Sequence, residues 1–250
     1  MRRAAWIIPI TLIALAACSG RGGAPTGGVL PQAGDTNTSP RSILSLPSSQ
    51  VVGAGEIFGT DNLFSPNDGN TSTGGQGQTV DGMPCAATMP NNYHVHAFVG
   101  ILINGTHPAL PDGTGMKAPH ADGTYAGFPN WTEYASCYYY MHTHDASGVV
   151  HIESPVTTSQ ETYLYNLGNY FDVWGRPLSS TQIGPYTGTV RAYVAQVPIK
   201  TIYIQRSSYV LFTGNPRTIP LKSHTTVWLE IGPTYVAPSA FPVIHYYMEY

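Results

Sequence analysis

The chain has 250 residues, and 11 Lys+Arg against 14 Asp+Glu give it a formal net charge of −3. Charged residues make up 10% of it, against about 25% in an average soluble domain, which excludes coiled coils and charge-laced helical bundles. The lack of a basic excess excludes the electrostatic footprint of a nucleic-acid binder. The 17 Tyr, 27 Gly and 21 Pro, set among Thr and Val, instead fit a β-rich extracytoplasmic protein.

The N-terminus reads MRRAAWIIPITLIALAAC. Arg2 and Arg3 form a positive n-region, and the apolar run Trp6–Ala16 is shorter than the roughly 20 residues a membrane helix needs. Residues 1–17 are therefore expected to be a secretory signal peptide. Leu15-Ala16-Ala17-Cys18 looks like a bacterial lipobox, with cleavage before Cys18 and lipid on its thiol; the alternative is an ordinary signal peptide with a chance cysteine. Ser19, in place of Asp, resembles the sorting signal for the outer membrane of Gram-negative cells. No later apolar stretch approaches 18 residues, so the lipid on Cys18 is the expected membrane attachment. The expected location is the cell envelope, lipid-anchored at the outer membrane and facing either the periplasm or the surface. Cleavage removes two Arg and no acid, leaving 9 Lys+Arg against 14 Asp+Glu, or −5, with no special affinity for anionic surfaces.

Residues 18–80 are rich in Gly, Ser, Thr, Pro, Gln and Asn, and TSTGGQGQT (71–79) has pure linker composition. Such a segment buries too little apolar surface to offset its ordering entropy, so it is expected to be a flexible, disordered tether of about 45 Å r.m.s. reach. Ser42–Leu46 and Val51-Val52 are the stretches able to dock locally. A single folded domain is then expected over residues 81–250, long enough for a sizeable core. With Cys18 assigned to lipid, Cys85 and Cys137 form an even pair in an oxidising compartment and are expected to be disulfide-bonded. Metal ligation by one thiol is the alternative, but no CxxC supports it.

All nine histidines lie at or after position 94, and five fall in two short segments, YHVHAFVGILING (93–105) and YYYMHTHDASGVVHIES (138–154). The first alternates as a strand: Val95, Ala97, Val99, Ile101 and Ile103 share an apolar face, while His94 and His96 share the other. Asn104-Gly105 supplies a type I′ hairpin turn. In the second segment, residues 138–144 and 149–153 read as a hairpin about an Asp145–Gly148 turn. An even loop sets His142 opposite His151 and Tyr140 opposite Glu153, and directly opposed residues share a face. His94, His96, His142, His144, His151 and Glu153 are therefore the candidate metal ligands, because neutral imidazoles with a carboxylate suit Zn, Cu(II), Fe(II) or Ni. Asp145 is expected to cap the turn, and it can also orient His144 as a hydrogen-bond acceptor. Surface histidines on a polar sheet face are the bland alternative. The chain has no GxSxG, HExxH, GxxxxGK[ST] or GxGxxG. Ser147, His144 and Asp145 lie too close along one turn to form a nucleophilic triad.

These segments resemble a family of uncharacterised secreted or lipid-anchored bacterial and archaeal proteins. Its pattern runs through a Cys, a YHxHAHL-like strand with an NG turn, and a Cys followed by HTHD-x-[ST]-G-x-[IV]-H-[IV]-E. An LGxFFDxWG segment and an IPLKxH…LEIG segment follow. The matching stretches are Cys85, residues 93–105, CYYYMHTHDASGVVHIE (137–153), LGNYFDVWG (167–175) and IPLKSHTTVWLEIG (219–232), so the likeness spans about residues 82–233. No activity is established for that family, so the resemblance implies a shared site rather than a named function. Its first strand often carries a third His two residues after the HxH pair, where this chain has Phe98.

Leu167–Trp174 reads as two turns of helix, with Gly175 as its C-cap, Pro177 as a stop and Trp174 in the core. Strand candidates follow at 189–197, 199–205, 208–213, 224–231 and 241–248. Lys222-Ser223-His224 reads as a solvated turn, and His224 and His245 as structural or exposed. Tyr138–Tyr140 fit either core or the wall of an apolar pocket. The expected fold class is mainly β: an antiparallel sandwich or barrel-like domain with one short helix, preceded by the tether. Three functional readings stay open. One is a lipoprotein that sequesters, senses or transfers a transition metal. The second is a cupin-like metalloenzyme, an oxygenase or metal-assisted hydrolase, with Glu153 or Asp145 as base. The third is an adhesion or envelope-structural module. Ligand count separates the first two, since a closed shell favours holding a metal and an open position favours catalysis.

Overall fold

The computed structural model describes residues 46–60, 69–120, 123–156, 165–198 and 200–247. The leader over 1–17, Cys18 and tether residues 19–45 and 61–68 lie outside the described residues. Among the described residues the fold is mainly β with one α-helix. Its six-stranded sheet and one of its two three-stranded sheets are built from β1 (Ser49–Val52), β2 (Tyr93–Ile103), β3 (Met141–His142), β4 (Val149–Ser154), β5 (Val190–Ala195), β6 (Tyr203–Ile204), β7 (Val210–Phe212), β8 (Thr226–Ile231) and β9 (Val243–Tyr246). The six-stranded sheet has the order β7-β5-β8-β2-β4-β3, and the three-stranded sheet has the order β1-β9-β6. Further two-residue strands decorate the loops.

Strand β2 shows why the large sheet lies in the middle. Its odd-numbered residues Val95, Ala97, Val99, Ile101 and Ile103 pack into one core with Leu167, Phe171 and Trp174 of helix α1 (Leu167–Trp174). Its even-numbered residues Phe98 and Leu102 enter a second core with Val52, Trp228, Ile244 and Tyr246. Both faces of the central strand are therefore buried, where the sequence pattern reads as one apolar and one polar face. The sandwich expectation holds, but uniform antiparallel pairing does not: β8 runs parallel to β2, and β1 parallel to β9. Both pairs join segments distant in sequence, so no tight turn dictates their direction.

The local expectations hold at the turn and the helix. Asn104 and Gly105 take positive φ values of 51° and 77°, as a type I′ turn requires. Helix α1 begins with a reciprocal capping box between Asn166 and Asn169 and ends at Gly175 in the left-handed region. Cys85 and Cys137 are joined as a disulfide across 52 residues of sequence, as expected for an oxidising compartment. Among the described residues no helix is long and apolar enough to cross a membrane.

The flexible tether does not extend to residue 80. Strand β1 pairs with β9 in the register Ser49↔Val243 to Val52↔Tyr246. Residues 71–79 wrap the end of α1: the Thr71 amide donates to Trp174 O and the Gly75 amide to Val173 O, both at 2.8 Å. The Thr71 and Thr73 hydroxyls both donate to Gly175 O at 2.9 Å. The linker-like composition serves close approach, because a Cβ at Gly74 would lie 2.4 Å from Val173 O and one at Gly75 2.3 Å from the Tyr139 ring. Hydrogen bonding to the orphan carbonyls of a helix terminus orders this segment, where an argument from apolar burial sees only a coil.

Candidate metal centre

Three adjacent strands deliver the histidines. Register places His94 opposite Glu153 and His96 opposite His151 across β2 and β4, and His142 opposite His151 across β3 and β4. Opposed residues share a face, so these side chains converge, as the even-loop reading requires. The hairpin strand is shorter than 138–144: only Met141–His142 pairs with β4, and His144 reaches the cluster from the loop that follows. β8 pairs with β2 only from Phe98 onward, so the histidines occupy the end of β2 that β8 leaves uncovered.

The donor atoms lie close together. His94 Nε2 and His96 Nε2 are 3.1 Å apart, His96 Nε2 and His151 Nδ1 3.1 Å, and His94 Nε2 and His151 Nδ1 3.4 Å. Around an ion bound at about 2.0–2.1 Å, tetrahedral nitrogens stand roughly 3.3–3.4 Å apart, so this triangle has the dimensions of one face of such a shell. Glu153 Oε1 lies 3.1 Å from His94 Nε2, 3.7 Å from His151 Nδ1 and 3.8 Å from His142 Nε2. His142, His144 and Glu153 form a second set of donors within 4.8 Å of one another.

Backbone carbonyls fix two of the rings. His142 Nδ1 lies 3.0 Å from Tyr139 O and His144 Nδ1 2.7 Å from Thr132 O. A carbonyl only accepts, so each Nδ1 carries the proton and each Nε2 keeps a lone pair for a ligand. Trp131 stacks on the His144 ring at 4.7 Å with planes 4° apart, and its indole N–H donates to Glu133 Oε2 at 2.9 Å. Thr132, Trp131 and Glu133 carried no signal in the sequence, because they sit on an irregular loop without periodicity.

Burial sets the electrostatics. His96, His142, His144, His151 and Glu153 are buried, while the His94 side chain remains 29% accessible and is the point of approach. Desolvation lowers the pKa of His94, takes that of His96 down to about 3, and holds His144 and His151 well below the ordinary imidazole value, with neighbouring histidines adding to each effect. These rings are neutral at pH 7, so their lone pairs are available without loss of a proton. A buried set of imidazoles with one carboxylate has the donor chemistry of a transition-metal site.

The remaining candidates fall elsewhere. Asp145 caps its turn, accepting from the Ser147 amide at 3.1 Å and from the Gly55 amide at 2.8 Å. It does not hold His144, whose Nδ1 is taken by Thr132 O at 2.7 Å. His107 is a core residue, with Nδ1 2.9 Å from Ile101 O and its ring against Phe58 and Trp228. His245 stacks on Tyr203. His224 is not in a solvated turn: it is buried, adopts φ 56°, and donates its amide to His96 O at 2.6 Å. That bond ties the β8 approach to the backbone of a ligand strand, which explains burial that composition hides. Cys18 lies outside the described residues. No protein family, curated protein or solved structure matches the chain.

Proposed function

We propose that this chain is a secreted lipoprotein of the cell envelope that binds a transition metal ion (Zn, Cu or Fe) through His94, His96, His142, His144, His151 and Glu153, in metal sequestration, sensing or transfer. The observation that carries this reading is the triangle of three imidazole nitrogens 3.1–3.4 Å apart with Glu153 Oε1 beside it. Four donors close a tetrahedral shell, and burial of all but His94 favours holding a metal over turning over a substrate. The disulfide supports an extracytoplasmic location, and the lipobox-like end of the leader supports anchoring through Cys18 at the outer membrane.

The test is metal content and affinity of the mature protein, purified without a histidine tag. His96→Ala is expected to weaken binding by about 100-fold or more, whereas His245→Ala, outside the cluster, leaves it at the wild-type value. Wild-type binding by His96→Ala would defeat the reading. In cells, Cys18→Ser is expected to move the protein from the membrane fraction to the soluble fraction; a variant that stays membrane-bound would defeat the anchor.

A further inference from the structure

We propose that the six side chains hold two metal ions, with the Glu153 carboxylate bridging them; this rests on the metal-binding reading above and fixes its stoichiometry. The donors sort into two sets of three. His94, His96 and His151 make one, and His142, His144 and Glu153 make the other. An ion seated on the first triangle already has three imidazoles and can take Glu153 Oε1 as its fourth donor, which fills a four-coordinate shell. His142 and His144 are then surplus to that ion.

They are nonetheless prepared as ligands. Tyr139 O and Thr132 O take their Nδ1 protons, so both rings keep a lone pair on Nε2. His142 is fully buried, and among the described residues its Nε2 has no hydrogen-bond partner. A buried lone pair left unmatched is unfavourable, and a second ion removes that cost. Glu153 stands between the two sets, with Oε1 3.1 Å from His94 Nε2 and 3.8 Å from His142 Nε2. A carboxylate there can give one oxygen to each of two ions about 3.5–4 Å apart. His151 adjoins both sets: its ring meets His96 edge-on at 4.4 Å and His144 edge-on at 4.5 Å.

Charge sets the order of filling. One carboxylate against two divalent ions leaves +3 in a buried site, while two Cu(I) ions leave +1. Cu(I) is therefore expected to fill both positions readily, and the second Zn(II) to bind more weakly than the first.

The experiment is titration of the metal-free mature protein with Cu(I) against a chromogenic chelator, and in parallel with Zn(II). Wild-type protein is expected to take two equivalents of Cu(I). The His142→Ala/His144→Ala double variant is expected to take one and to keep the tighter Zn(II) site. Saturation of wild-type protein at one equivalent of both metals overturns the two-ion centre but leaves the metal-binding reading intact. Binding of neither metal defeats both. The wild-type stoichiometry decides the question even where a variant folds poorly, and two equivalents retained by a folded double variant would also overturn the assignment.

Discussion

Phe98→His is expected to lower stability by about 3–5 kcal/mol and to add no bound metal. The position continues the alternation of His94 and His96, so by phase alone a histidine there would point to the same face of β2. Its surroundings differ. Phe98 is fully buried, 5.3 Å from the Trp228 ring and 6.2 Å from Phe58, at the point where β8 begins to pair with β2. The strand crosses there from the histidine cluster into the second core. An imidazole at this site loses aromatic packing and buries nitrogens among apolar side chains. Denaturant unfolding together with metal analysis measures both effects; wild-type stability, or a gain in bound metal, would show that the site extends to residue 98. Phe98 is thus a core residue in this chain.

The metal-free protein is expected to hold its stability nearly level from pH 7 to about 5 and to lose most of it below about pH 4.5. Burial holds His96 near 3 and His107 near 4, and keeps His144 and His151 well below the ordinary value. The unfolded chain binds those protons near pH 6.5 and the folded chain does not, so these four groups favour unfolding as pH falls. Three carboxyls, Glu56 half-buried and the others buried, act in the opposite sense: desolvation raises Glu56 and Glu230 to about 7 and Asp145 to about 6, with the Asp145 charge adding to the rise at Glu56. Their folded forms keep protons that the unfolded chain has released, so they lose stability as pH rises from about 4 to 7 and largely offset the histidines across that window. Below about pH 4.5 the carboxyls are protonated in both states and the histidine effect stands alone. Each histidine still neutral in the folded chain then costs roughly 1.4 kcal/mol per pH unit, against a typical domain stability of about 5–15 kcal/mol. Thermal unfolding of the metal-free protein from pH 7 to 3.5 checks this; an unfolding temperature that is flat through pH 4 would contradict it.

Strand phase was the most legible feature of the sequence. Period-two alternation in 94–103 and an even loop about the Asp145–Gly148 turn brought His94, His96, His142, His151 and Glu153 to one face, and the registers of β2, β3 and β4 agree. Helix α1 and the Asn104-Gly105 turn were legible because caps and positive-φ turns have local chemical signatures. What escaped depends on distant contacts. The parallel pairing of β8 with β2 joins segments separated by more than a hundred residues. Ordering of 71–79 comes from carbonyls at the end of a helix far along the chain. Burial of His224 comes from a backbone bond to His96, and placement of His144 comes from Thr132 and Trp131 on an unpatterned loop. Composition reads such residues as solvated, because it registers apolar content and not the hydrogen bonds that tertiary structure supplies.

Assembly of one metal centre from two strand segments separated by some forty residues is testable by anomalous diffraction from crystals of the mature protein grown with Zn(II) or Cu. A metal peak is expected within about 2.0–2.2 Å of His94 Nε2, His96 Nε2 and His151 Nδ1, with Glu153 in its shell. A well-ordered structure with no peak there, or with its metal on His120 or His245 instead, would contradict it and leave the histidine cluster as packing.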